Sequence, residues 1–236
     1  MRSTLVPALL LGLCSTATAA DYEEVHDLRL DAGDLDTLII DVGAGSLDVT
    51  GVDGLRSIEV KATVIIPDVS AADGRKSIAK DLKLSLDMSG GAAKLVADFD
   101  HGFWGAGSNS RVDLEVRAPT TLDLVIEDGS GSMDVANFPV RVRIDDSSGS
   151  IDVRQVGDLR IHDGSGSIDV TGVSGNVHVD DGSGNITIEA VGGSVTIDDG
   201  SGKIRVSDVA KDLIILEDGS GGVSFSDVRG RVEEDG

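Results

Sequence analysis

The sequence predicts an all-β fold: a single-stranded β-helix (β-solenoid) of ~18-residue coils, with an antiparallel-strand insertion near the N-terminal half. Three observations predict it. The phrase Asp-Gly-Ser-Gly, followed by an alternating apolar strand, begins at Asp128, Asp146 (as Asp-Ser-Ser-Gly), Asp163, Asp181, Asp199 and Asp218, at spacings of 18, 17, 18, 18 and 19 residues. A unit this short cannot bury its own apolar face, so its copies must stack. Apolar residues within each copy alternate with polar ones, the mark of a half-buried strand. Aromatic residues make up only 3% of the chain, as a narrow column of stacked aliphatic side chains requires.

The copy running from Asp163 to Asp180 shows the logic. Ile168 and Val170 alternate with polar neighbours, as do Val177 and Val179. Between the two strands lies Gly172-Val173, a turn that points one more apolar residue inward. The next copy repeats the set as Ile186, Ile188, Val191, Val195 and Ile197, and the previous one as Ile151, Val153, Val156, Leu159 and Ile161. Coils climb by the interstrand distance of ~4.8 Å, so equivalent side chains lie directly on one another. Glycine at the corners permits positive φ and close approach of successive backbones.

The remaining segments follow in chain order. Residues 1–20 read as a signal peptide: Arg2, an apolar run from Leu5 to Leu13, and an Ala-x-Ala end at Ala17-Thr18-Ala19. Cys14 falls inside that leader, after a Leu where a lipidation signal wants a small residue, so disulfides play no part in the rest. Residues 21–60 hold the first strands and a first coil, because Val42-Gly43-Ala44-Gly45-Ser46-Leu47-Asp48-Val49-Thr50-Gly51-Val52 repeats the wording of the later coils. In 61–127 the repeat lapses into longer alternating strands near Val60–Ile66, Leu82–Leu86, Leu95–Phe99 and Val112–Val116. A short helix is expected over Ala71–Lys80, opened near Ser70, and a hairpin turn at Ser89-Gly90-Gly91. Residues 128–236 are the repeated coils, decaying where Glu234 takes an apolar position.

The chain carries 42 acidic against 20 basic residues, a net charge of −22. Nucleic acid and anionic lipid are poor partners for such a surface; cations or basic proteins suit it, and simple solubility outside the cell explains it best. The loop from Asp100 to Asn109 concentrates Phe103 with the single Trp, Trp104. It reads either as an aromatic contact for a glycan or protein partner, or as a plug closing one end of the stack.

The stacked corner aspartates are the most distinctive polar feature. Carboxylates one coil apart repel, and something must relieve that. One solution is an Asx-turn, each Asp accepting the backbone N–H two residues on. The other is a row of Ca²⁺ ions, with Asp163, Asp181 and Asp199 as candidate metal ligands. The nonapeptide calcium-binding β-roll does not fit, since only one corner per coil is glycine-rich and its Asp precedes the glycines. A second column, Asp134, Asp152 and Asp169, invites comparison with the clustered acids of polysaccharide-acting β-helix enzymes. It dissolves into Thr187, Arg205 and Ser224, so an ordinary solvated face is expected there. His162 and His178 fall at outward positions one coil apart and are a poor zinc pair.

The apolar-x-Val-Gly-Ala-Gly-Ser-Leu-Asp-Val segment at 40–49, the strand from Val112 to Pro119 and the Gly-Ser-Gly coils from 128 onward together resemble the bacterial putative-adhesin family of β-strand-repeat proteins, a domain of unknown function. The resemblance covers essentially all of the chain after the leader. It implies a β-helix and supplies no catalytic residues. The expected function is thus an exported, non-enzymatic scaffold, periplasmic or at the cell surface, binding a protein or a cell-surface polymer. A cation-stabilised envelope structural protein is the alternative, and a polysaccharide-acting β-helix enzyme comes after it.

Overall fold

The computed structural model describes residues 21–99 and 109–234. The expected leader and the Phe103–Trp104 pair lie outside the described residues. The chain opens with β1 (Tyr22–Asp31), β2 (Thr37–Ala44), β3 (Leu47–Val52) and β4 (Ser57–Ile66), followed by α1 (Ala71–Asp81). Four strands follow: β5 (Leu82–Ser89), β6 (Ala92–Phe99), β7 (Arg111–Pro119) and the long β8 (Asp123–Phe138). Short and longer strands then alternate: β9 (Val142–Asp146), β10 (Gly149–Val156), β11 (Leu159–Asp163), β12 (Gly166–Val173), β13 (Val177–Asp181) and β14 (Gly184–Val191). The last are β15 (Val195–Asp199), β16 (Gly202–Val209), β17 (Leu213–Glu217), β18 (Gly222–Val228) and β19 (Val232–Glu234).

These strands form a parallel β-solenoid of about 6 turns with an antiparallel elaboration near the N-terminus. Each coil gives one strand to each of two facing sheets. Sheet A runs β1-β4-β7-β3-β8-β10-β12-β14-β16-β18, and sheet B runs β5-β6-β2-β8-β9-β11-β13-β15-β17-β19. β8 is long enough to turn the corner and pair in both.

The register is in step from coil to coil. Ile151, Ile168, Ile186 and Ile204 are successive partners in sheet A, and Ile144, Ile161, Val179 and Ile197 in sheet B. All are almost fully buried, as are Val156, Val173, Val191 and Val209 at the turn. That fifth inward position breaks strict alternation. The residue before it adopts a left-handed conformation in Asn137, Gln155, Gly172, Ala190, Asp208 and Asp227, with φ between 51° and 76°. This kink swings the next side chain to the interior face.

The first coil is β2 with β3, stacked directly on β8: Ile40 partners Ile126, Leu47 partners Met133 and Val49 partners Val135. The elaboration differs in one respect from the sequence expectation. β1, β4 and β5 are antiparallel, but β6 and β7 run parallel to β2 and β3 and form a further coil on their other side. Alternation marks a strand and not its direction, and it is the pairing to β2 and β3 that reveals this coil. β2 and β3 therefore sit between a coil made later in the chain and the start of the main stack.

α1 joins β4 to β5 and packs on β1 and β5, with Val69, Ile78 and Leu82 against the core. Ser70 caps it, its Oγ accepting the Asp73 N–H at 3.2 Å and donating to Asp73 Oδ2 at 2.7 Å. Gly74 is buried because the Tyr22 ring lies where a side chain would be, 2.4 Å from a β-carbon. The other end is bare by comparison: Phe225 is 47% exposed and Val232 37%.

The corner glycines are obligatory for a packing reason. Gly184 has φ +157°, and a β-carbon there would sit 1.5 Å from the Gly166 carbonyl oxygen one coil below. Gly166 and Gly202 meet the same obstacle. Gly184→Ala is expected to abolish cooperative folding or cut the urea midpoint drastically. Gly90→Ala, at a hairpin turn with φ +60° and nothing within 4 Å, is expected to cost only about 1–2 kcal/mol of left-handed strain. Equal losses in the two melts would contradict the close approach of coils at that corner.

Candidate functional site

The interior of the second corner holds a column of carboxyls. Asp128, Asp146, Asp163, Asp181 and Asp199 are consecutive register partners at the ends of sheet B strands. None is more than 6% exposed. The Asp-Gly-Ser-Gly phrase places them there. Each Oδ1 accepts the backbone N–H two residues on, at 3.2 Å (Ser130), 3.2 Å (Ser148), 3.1 Å (Ser165), 3.0 Å (Ser183) and 2.9 Å (Ser201). This is the Asx-turn reading of the sequence, repeated in five coils. The turn draws the carboxyl inward, and the second oxygen goes with it. Oδ2 of Asp128, Asp163, Asp181 and Asp199 is buried and has no partner.

Ionised, such a row would be costly. Neighbouring carboxylates one coil apart repel by about 1 kcal/mol in water and by several at an effective dielectric near 20. Burial raises all five above the ordinary carboxylate range, Asp128 to about 7 and Asp181 to about 6. The neighbouring carboxylates add to burial, from Asp146 on Asp128 and from Asp163, Asp199 and Asp180 on Asp181. The backbone N–H bonds pull the other way without prevailing. Among the described residues, no group of three or more His, Cys, Asp or Glu side chains is arranged to hold a metal ion.

The outward acids are a different case. Asp134, Asp152 and Asp169 do stack in register, and the column passes into Thr187, Arg205 and Ser224 as expected. Arg154 occupies it: its guanidinium donates to Asp134 at 2.6 Å and to Asp152 at 2.5 Å. One guanidinium thus bridges the carboxylates of two successive coils. The histidines do not pair with one another. His162 faces Asp180 at 3.3 Å, and His178 lies opposite Arg160, because the two occupy different outward columns.

Two outer grooves were not anticipated. One of about 560 Å³ lies on sheet A, where Arg29, Glu59, Lys61, Glu115 and Arg117 interleave opposite charges across β1, β4 and β7. Glu59 accepts from Arg29 at 2.8 Å and from Arg117 at 3.2 Å. The other, of about 600 Å³, lies on sheet B and is edged by Arg141, Arg143, Arg160 and His178. A polar ladder runs beside it: Asp158 Oδ1 accepts the Asn176 N–H at 2.8 Å, and Asn176 Oδ1 accepts the Ser194 N–H at 3.0 Å. The signal was present in the sequence as a recurring Asp, Asn or Ser just before Leu159, Val177, Val195 and Leu213. Among the described residues no helix is long and apolar enough to cross a membrane.

No protein-family model matches the chain, and no curated protein matches it in sequence. Solved structures resemble it over most of its length. A putative cell adhesion protein from Clostridium sporogenes is 10% identical with a TM-score of 0.37, over 90% of this chain and 98% of that one. A putative adhesin from Bacteroides fragilis is 10% identical with a TM-score of 0.38, over 90% and 97%. A putative lipid binding protein from Parabacteroides distasonis is 13% identical with a TM-score of 0.36, over 91% and 94%. Neighbours from several bacteria thus carry the same description as the family the sequence resembles. At these identities and scores they bring neither site nor ligand to this chain.

Arg154→Ala tests the clamp. Both partners are about half exposed, so the expected loss is about 1 kcal/mol or less. It is expected to be largest at low salt and to fade near 1 M NaCl, where screening shortens to roughly 3 Å. A salt-independent loss in urea titrations would mean that the guanidinium acts through packing.

Proposed function

We propose that the chain is an exported, non-enzymatic β-solenoid scaffold, working in the periplasm or at the cell surface, that binds another macromolecule through its outer faces in the manner of an adhesin. The observation that carries this reading is the pair of parallel sheets with outward positions recurring at every coil. A ladder of identical intervals offers one contact per coil to an extended partner, and many weak contacts sum to avidity. The clamped Asp134 and Asp152 support a binding role for sheet A over an acid-base one. The net charge of −22 favours a partner that is neutral or basic, a protein or an uncharged cell-surface polymer, and disfavours nucleic acid.

Phe103 and Trp104 are assigned to the contact as its aromatic anchors, since rings are scarce elsewhere in the chain and large aromatics dominate binding energetics. Labelled protein lacking residues 1–20 is expected to attach saturably to cell-envelope material. Protease treatment of that material removes a protein partner, and glycosidase treatment a polymer one. Trp104→Ala is expected to weaken attachment at least about tenfold while leaving the melting temperature in place. Absence of saturable attachment defeats the reading. Attachment that Trp104→Ala leaves intact removes the aromatic loop from it.

A further inference from the structure

The column Asp128, Asp146, Asp163, Asp181 and Asp199 has an unusual chemistry that the binding reading does not use. Each carboxyl has one oxygen spoken for by a backbone N–H, and four have the other oxygen buried with no donor in reach. Oδ2 of Asp181 is turned into its own corner, 3.3 Å from where a β-carbon on Gly184 would stand. Among the described residues no Lys or Arg acts on the row. The charged groups felt there are the column's own members, Asp180 and Asp198 beside them on the same strands and Asp218 at the far end, while His162 next to Asp163 works against the upward shift. A buried oxygen without a donor must either lose its charge or find a cation.

We propose that the column is a proton-binding element: the folded stack holds protons on the inward Oδ2 atoms near neutral and mildly acidic pH, and the solenoid becomes firmer as the medium acidifies. This is independent of what the outer faces bind. A proton converts each Oδ2 from an orphan acceptor into a neutral hydroxyl. It also removes the repulsion between coils while leaving the Oδ1 bond to the serine N–H intact.

The sign follows from linkage. The folded values are raised, so between the ordinary carboxylate value of 3.8 and about 6 to 7 the folded chain binds more protons than the unfolded one. Stability therefore rises as pH falls from about 8 towards 5, the reverse of the common acid-denaturation trend, and levels off below about 4. One extra proton changes the unfolding constant by up to about tenfold per pH unit.

The test is thermal and urea unfolding of the chain without its first 20 residues, from pH 4.5 to 8, in chelator and again with added Ca²⁺. Asp181→Asn keeps the Oδ1 acceptor and replaces the proton-bearing oxygen by an amide. At pH 8 it is expected to lower the unfolding constant by roughly tenfold to 100-fold, and to flatten the pH slope by about one proton. Asp169→Asn, one strand away on the outer face, removes the same net charge and is expected to leave the slope alone. Infrared spectra of the unmutated chain are expected to keep a protonated-carboxyl band at pH 6 that an Asp163→Asn, Asp181→Asn double variant diminishes. Because the unmutated chain supplies that band, the proposal stays testable if a variant misfolds. A missing band at pH 6, or an Asp181→Asn slope matching that of the parent, overturns the proposal. So does a Ca²⁺-dependent rise in stability that Asp181→Asn abolishes, since the column would then hold a cation.

Discussion

Every position in the repeated coils must tolerate its counterpart one interstrand distance above and below. That constraint comes from parallel, in-register pairing, and most of the structure follows from it. Branched aliphatics stack on themselves without loss of contact, so Ile168, Ile186 and Ile204 form a continuous buried rod. Larger rings would collide with their own images. Phe138 heads the column of turn residues as the register partner of Val156, and Phe225 ends another beyond Val206, each with no ring directly beside it. Gly stacks on Gly at the corner because the carbonyl of one coil occupies the space where the next would place a β-carbon.

Like stacked on like is benign for apolar residues and hostile for charged ones, and the two sides of the sheet resolve the conflict differently. On the outside the chain varies the residue from coil to coil. Asp134 and Asp152 share Arg154, and the column then changes to Thr187 and Arg205. Cross-strand pairs such as Lys61 with Glu115 and Lys94 with Asp41 do the same near the helical end. On the inside no such variation occurs: five aspartates stand in a row, each closing its corner with an Asx-turn. Local turn chemistry there outweighs the electrostatics of the column, and the burial of the Oδ2 atoms is its consequence.

The coil, its five inward positions and the outlying first coil were legible because periodicity survives any detail of geometry. Ser70, Gly90 and Gly91 marked the helix start and the hairpin turn through residue chemistry that acts within a few positions. What failed to show was whatever depends on direction or depth. β6 and β7 carry the same alternation as their antiparallel neighbours, and only pairing to β2 and β3 reveals them as a coil. The depth of the corner aspartates did not show in the sequence, although the hydrogen bond that identifies an Asx-turn goes with burial of the carboxyl. His162 and His178 lie one coil apart, yet Arg160, two residues before His162, is the register partner of His178.

Separating interior from exterior also shapes what a partner meets. The inward set is fixed by stacking, so outward residues can change without threatening the core. Sheet A uses that freedom unevenly. Towards the helical end its outer face carries Asp48, Asp134, Asp152 and Asp169, partly neutralised by Arg154. Towards the other end Lys203 stands between Asn185 and Gly222, and Arg205 between Thr187 and Ser224, with no carboxylate across the strand from either. The net charge of −22 is therefore a poor description of this face, where basic and acidic residues interleave across β1, β4 and β7 at one end and Lys203 and Arg205 stand at the other. Partner charges within a Debye length of about 8 Å feel the local coil and not the whole molecule. A ligand lying along the stack would be oriented by that difference between its ends, so the sequence of outward residues, coil by coil, sets direction as well as affinity.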